Sequence, residues 1–267
     1  MSNQTAECSL REMLPRSSNA FKVMGVRVHA VQIPDVVEQM EHWIAQRDAC
    51  HYIAVTGMHG VSESQRDPIF KRILNDADLV VPDGMPLVWL GRRHGYHLQR
   101  RVYGPELMQT FCRTTGAQYR HFLYGGMPGV PELLSGTLQK QFGINVVGEY
   151  SPPFRALTPE EDEEIVARIN AANPDILWVG LSTPKQERWM HEHRARLRVP
   201  VLVGVGAAFD MNSGRAKQAP AWMQENGLEW SFRLFQEPRR LWRRYLINGP
   251  QFVFGVATEL LSLRKYD

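Results

Sequence analysis

From residue 119 to residue 206 the chain alternates short apolar runs with stretches of helical spacing. The runs are YRHFLYGG (119–126), INVVGEY (144–150), DILWVGL (175–181) and VPVLVGVG (199–206). Between them lie VPELLSGTLQKQF, PEEDEEIVARINAA and KQERWMHEHRARL. Continuously apolar strands separated by helices predict an α/β fold, a parallel sheet covered on both faces. Right-handed crossovers make that sheet Rossmann-like.

The first half reads the same way with more interruptions. FKVMGVRVHA is a short alternating strand, and Pro34 opens the helix IPDVVEQMEHWIAQ, with Val36, Val37, Met40, Trp43 and Ile44 on one face. HYIAVTG (51–57) is a buried strand, followed by a helix from about Val61 to Gln65 and another over PIFKRILNDA. DLVVPDG (78–84) is a strand ending in a carboxylate and a glycine, and MPLVWLGRRHG and ELMQTFCRTTG are helices stopped by Gly95 and Gly116. The expected organisation is a disordered tail over 1–20, α/β subdomains over 21–118 and 119–226 in one catalytic unit, and a helical appendage over 227–267.

The appendage differs in make-up. EWSFRLFQEPRRLWRRYLINGPQFVFGVATELL mixes Trp, Phe and Leu with Arg233, Arg239, Arg240, Arg243 and Arg244. Its helical pieces, broken at Pro238 and Pro250, would each carry an apolar and a basic face, the make-up of an interfacial helix. The net charge of +3 says little by itself; this local patch suits an anionic lipid surface, a phosphorylated substrate or nucleic acid. Cys8, Cys50 and Cys112 have no ligand-like spacing, which fits a reducing cytoplasm. The polar first residues lack a signal core, and no apolar run is long enough to span a bilayer.

Ligands of open α/β sheets bind at the carboxyl ends of the strands. Asp83 stands at such an end, before Gly84, where a carboxylate is either a general base or the cap of the next helix. Thr56 ends the preceding strand and would lie near Asp83 if the strands pair; it either binds phosphate or sugar or merely closes the strand. His59, in the following loop, reads as a solvated histidine. Arg101, beside Arg100, either clamps a diphosphate or is solvated. Gly125 and Gly126 form a phosphate-binding or plain tight turn at a helix start. Lys185 and Gln186 open another helix at the same sheet edge, as ligands of pyrophosphate or hydroxyls or as a solvated first turn. Asp210 either orients a sugar or caps a turn. The pair Asp76 and Asp78 precedes its strand, the wrong edge for a metal, and no metal or other cofactor is expected.

Taken in order, ADLVVPDGMPLVW, RVYGPEL, HFLYGGMPGV, NPDILWVGLSTPKQERWM, VGVGAAFDMNSG, KQAPAWMQENGLEW and RLFQEPRRLWRRYL resemble the WecG/TagA/CpsF glycosyltransferases, glycosyltransferase family 26. The resemblance runs from about Val23 to Leu246. It implies an inverting, metal-independent hexosyltransferase that moves N-acetylmannosamine or a related sugar from a UDP donor to an undecaprenyl-diphosphate-linked saccharide, in cell-surface polysaccharide synthesis. It makes residues 119–226 the nucleotide-sugar-binding part. Carried residue by residue, Asp83 matches the base, Thr56 a pocket threonine, Arg101 a pocket arginine and Gln186 a pocket glutamine. With Arg101, the tail arginines Arg239, Arg240 and Arg243 would stabilise the leaving diphosphate, and Gly125, Gly126, Lys185 and Asp210 complete the expected site. The appendage implies peripheral attachment to the inner face of the plasma membrane; a homo-oligomer is compatible with the sequence. This chain departs from the family pattern at Gly57-Met58-His59, at Gly104-Pro105-Glu106-Leu107 and at Ser182-Thr183-Pro184. The departures touch the sugar pocket, so a glucose or uronic-acid donor is the alternative. A nucleotide-binding protein with a nucleic-acid-binding tail and an NAD oxidoreductase are the readings from other classes; the missing dinucleotide fingerprint and nucleic-acid module speak against them.

Overall fold

The computed structural model describes residues 19–263 and Tyr266, without the side chains of residues 221, 225 and 240. The disordered tail expected over 1–20 lies, through residue 18, outside the described residues, as does Cys8.

The first strand expected from the sequence is a hairpin. β1 (Ala20–Val23) and β2 (Val26–His29) pair antiparallel, because Met24 and Gly25 both take left-handed conformations, φ 50° and 78°, and reverse the chain in two residues. Phe21, Val23, Val26 and Val28 face inward, so the alternation changes parity across the turn, where Val23, Met24 and Val26 are all buried.

α1 (Ile33–Gln46) buries the apolar face expected of it, and the Asp35 carboxylate accepts from the Gln32 N–H at 2.9 Å to close its first turn. The elements then follow as β3 (His51–Thr56), α2 (Met58–Ser64), α3 (Pro68–Asn75), β4 (Leu79–Pro82), α4 (Met85–Arg93) and α5 (Gly104–Thr115). The helix expected from Val61 starts three residues earlier, at Met58. β5 (Arg120–Gly125), α6 (Val130–Phe142), β6 (Asn145–Tyr150), α7 (Pro159–Ala172), β7 (Ile176–Gly180), α8 (Lys185–His193) and β8 (Val201–Gly204) continue the alternation.

These six strands form one parallel sheet in the order β4-β3-β8-β7-β5-β6. Strands of both expected subdomains share it, joined where β3 pairs with β8 in register Tyr52↔Leu202. The strand period of two sorts side chains into separate cores. Tyr52, Ala54, Leu177, Val179 and Leu202 face one, with α7 and α8 over them. Ile53, Val55, Ile176, Trp178, Val201 and Val203 face the other, under α1, α5 and α6. The sheet is Rossmann-like, as expected, and a helical C-terminal region follows it.

That region begins with α9 (Ala208–Asn212) and α10 (Ala221–Glu225) and continues through α11 (Glu229–Gln236), α12 (Pro238–Trp242), a π turn over Arg243–Ile247 and α13 (Asn248–Leu260). The break expected at Pro238 is present; that at Pro250 is not. Pro250 follows closely on the π turn over Arg243–Ile247, and the helix runs on through it without a break. The tail is docked on the body of the protein. Leu241, Phe252 and Val256 are buried, and Glu259 accepts from the Met24 N–H at 2.9 and 3.1 Å. Asn248 takes Arg66 on its side-chain oxygen at 3.2 Å and the Ser62 hydroxyl on its carbonyl at 3.3 Å.

Candidate active site

The carboxyl ends of β3, β4, β7 and β8 meet on one edge of the sheet. Thr56 and Asp83 are neighbours there: Thr56 pairs with Pro82, and the Asp83 N–H donates to the Thr56 carbonyl at 2.9 Å. The approach needs Gly57, since a Cβ at that position would stand 2.4 Å from the Asp83 carbonyl oxygen. Gly84, at φ 111°, then turns the chain into α4. Burial raises the Asp83 pKa above the ordinary aspartate value; Arg101 pulls it down, Glu229 pushes it up, and Arg244 and Arg233 pull it down.

Arg101 is mostly buried and clamped. Its Nη2 donates to Glu229 Oε2 and to Gln224 Oε1 at 3.2 Å, and its guanidinium lies over the Tyr103 ring, 3.9 Å from the centroid. The Tyr103 hydroxyl donates to Glu229 Oε1 at 2.9 Å. A polar cleft of about 180 Å³ opens beside this group, lined by Arg100, Tyr103, Glu106, Gln109, Gln218 and Gln224. The departure from the family pattern at Glu106 lies in its wall.

A second cluster comes from α8. Gln186 and Glu187 are buried, and Glu187 Oε1 accepts from the Thr183 hydroxyl at 2.7 Å and from Gln186 Nε2 at 3.1 Å. That contact turns the Gln186 amide nitrogen toward the carboxyl group. Gln186 lies across the end of β8, where a Cβ on Gly204 would be 3.0 Å from its Nε2. Thr56 joins this cluster through Gly60, whose added Cβ would stand 2.9 Å from Thr56 Cγ2 and 3.6 Å from Thr183 Cγ2. Burial raises the Glu187 pKa, and Arg244 is among the charges opposing the rise.

The remaining expected residues that are described are exposed or have other partners. Lys185 is exposed at the start of α8. Gly125 packs on Gly180, where its Cβ would stand 2.6 Å from the carbonyl carbon, and the Gly126 N–H donates to the Gly180 carbonyl at 3.0 Å. The Asp210 carbonyl accepts from the Ala216 N–H at 2.9 Å and the Ser213 hydroxyl at 3.2 Å, closing a turn. Arg239 and Arg243 are exposed, and Arg243 lies over the Trp242 ring, 5.3 Å from its centroid. The Arg240 side chain lies outside the described residues. Asp78 is at the opposite sheet edge, where it takes His51 Nδ1 at 3.0 Å, the Tyr52 N–H at 2.9 Å and Arg194 at 3.1 Å.

His59 is not the solvated loop histidine expected. It is in the first turn of α2, half-buried against Asn248 at 3.1 Å, and burial, then Arg244 and Arg66, lower its pKa to about 4.

The profile of the glycosyl transferase WecG/TagA/CpsF family matches residues 21–266. The chain belongs to this family. Among its relatives is the N-acetylglucosaminyldiphosphoundecaprenol N-acetyl-beta-D-mannosaminyltransferase of Bacillus spizizenii, 32% identical over 196 residues that cover 73% of this chain and 74% of that one. The protein of the same name from Staphylococcus aureus is 27% identical over 252 residues, 93% of this chain and 97% of its own.

Within this family member the candidate site also draws in Glu187, Thr183, Tyr103, Glu229, Arg233 and Arg244, which sequence reasoning missed. Glu187 follows Gln186 in the P-K-Q-E segment, Thr183 immediately precedes that segment, and Glu229 belongs to the G-L-E-W segment, so the motifs held a signal. Arg233 and Arg244 stood in the arginine run with nothing local to separate them from Arg239 and Arg243. Their long-range effect on Asp83 comes from how the tail docks.

Proposed function

We propose that the chain transfers a hexose-type sugar, N-acetylmannosamine in the first instance, from a UDP donor to a saccharide on a polyprenyl diphosphate. Glycosyl transfer follows from the family, and the acceptor class from the names of its relatives. The chemistry is a single displacement with inversion. The acceptor hydroxyl attacks the anomeric carbon, Asp83 takes its proton, and the sugar–phosphate bond breaks with its electron pair leaving on the diphosphate. Arg101, with Arg233 and Arg244 from the tail, offsets the developing charge, so the reading calls for no metal.

The observation that carries it is the strand-end carboxylate Asp83, whose strongest charged neighbour is Arg101. Asp83→Asn removes the proton acceptor at nearly constant shape. It is expected to lower kcat about 100- to 10,000-fold with the thermal melt retained. Near-wild-type kcat in a folded variant ends the assignment. A screen of UDP-N-acetylmannosamine, UDP-glucose and UDP-glucuronic acid against a polyprenyl-diphosphate-linked N-acetylglucosamine analogue identifies the donor; turnover with none of them rejects the donor class.

The same reading places the chain against the inner face of the plasma membrane through its tail. Among the described residues no helix is long and apolar enough to cross a membrane. The tail instead exposes Trp230, Phe235, Trp242, Val253 and Phe254 alongside Arg239 and Arg243, an apolar and cationic mix suited to an anionic lipid surface.

A further inference from the structure

Helix α11 brings a carboxylate to Arg101. Glu229 is only 6% exposed, and its two oxygens take different partners, Arg101 on Oε2 and the Tyr103 hydroxyl on Oε1. Tyr103 is also the ring under the Arg101 guanidinium, so Arg101, Tyr103 and Glu229 form a closed triangle of contacts. Both hydrogen bonds that Arg101 makes to described residues use Nη2, which leaves the Nε and Nη1 hydrogens for a diphosphate. A residue needed only to hold an arginine still could be neutral, as Gln224 is. Burying a carboxylate costs free energy, so its charge calls for a use.

We propose that Glu229 is a positioning residue that both seats Arg101 and balances its charge, so that Asp83 keeps the proton affinity of a working base. The inference rests on the reading of Asp83 as the base. Arg101, Arg233 and Arg244 act on Asp83 as cations, Glu229 as the opposing anion, and the Tyr103 hydroxyl belongs to the same cluster. Without Glu229 no second carboxylate opposes the field of Arg101 on Asp83; an aspartate beside an arginine loses about one to three units of pKa, and a weaker base is a slower one. Glu229 keeps the arginines available to the leaving group without that loss. It does so through Arg101 and Asp83, without touching the reacting atoms.

The test is a series at position 229 in the full chain. Glu229→Gln keeps hydrogen-bonding groups and removes the charge; Glu229→Asp keeps the charge and draws it back by one methylene. The Asp83 carboxyl is titrated by carbon-detected NMR, which needs no turnover, and the acid limb of kcat/KM is measured alongside. The Asp83 pKa should fall in the order wild type, Glu229→Asp, Glu229→Gln, by about one unit across the series, and the acid limb should move down with it. A role in holding structure alone would lower activity at every pH and leave both midpoints in place; that result overturns the proposal. If Glu229→Gln does not fold, Glu229→Asp decides, and an Asp83 pKa at or above wild type overturns it. A shifted Asp83 titration with an unmoved acid limb upholds the charge balance and rejects Asp83 as the base.

Discussion

Thr56 Oγ1, Gln186 Oε1 and Glu187 Oε2 are buried at the strand ends without a hydrogen-bond partner among the described residues. An unpaired buried polar group costs about 1–3 kcal/mol, and a site that binds hydroxyls tolerates that cost because its ligand repays it. Thr56→Val, equal in shape, is therefore expected to raise stability by about 1 kcal/mol while raising KM for the donor. Thermal melts and initial rates check both halves; a lower melting temperature with unchanged KM removes Thr56 from the site. Thr56 and Asp83 were legible in the sequence because strand ends follow from local patterns and strand ends are where such sheets bind. Glu229 was not. It lies 128 residues from Arg101, and no periodicity reports which helix of a tail will fold back over the sheet.

Among the elements, the β5–β7 contact is the least forgiving. Gly125 has φ 127°, and its Cβ would stand between 2.6 and 2.8 Å from three backbone atoms of Gly180. Backbone cannot move aside as a side chain can, so Gly125→Ala is expected to cost about 1–3 kcal/mol from strain alone. Urea unfolding measures it, and a midpoint equal to wild type would show that the strands can part. All six strands of the large sheet were legible: burial on both faces leaves an uninterrupted apolar signal in five, and the half-exposed edge strand β6 reads from its place in the alternation. The hairpin was not, because Met24 takes a left-handed conformation that its residue type does not advertise, and the one-residue change of parity between Val23 and Val26 falls in a run that is apolar throughout. Pro250 misled for a related reason: a π turn just before it lets the helix run past a proline, and nothing in the local sequence announces that turn.

At the scale of the molecule, two properties are open to measurement. His29 and His121 are fully buried, and burial first of all lowers each pKa from 6.5 to about 4. The fold thus holds them neutral while the unfolded chain takes up protons from pH 6.5 downward. Their contribution to stability is complete above pH 6.5 and is lost progressively toward pH 4. The melting temperature should fall across that window; a flat profile would contradict neutral burial. Membrane attachment is best tested without truncation, because Leu241, Phe252 and Val256 tie the tail to the core. Phe235→Ser, Phe254→Ser and Arg243→Glu alter only exposed positions, and together they should abolish flotation with anionic vesicles. Flotation equal to wild type would reject the tail as the anchor.

The strand order also fixes a sequence of events during synthesis. β8 is the last strand of the sheet to leave the ribosome, and it occupies the middle, between β3 and β7. Until residues 201–204 emerge, the nascent chain can form two half-sheets, β4-β3 and β7-β5-β6, each with an open inner edge. An unpaired apolar edge invites strands from other chains. The central strand that unites the molecule is therefore also its latest arrival, and the interval before it arrives is when a growing chain is most exposed to its neighbours on a polysome.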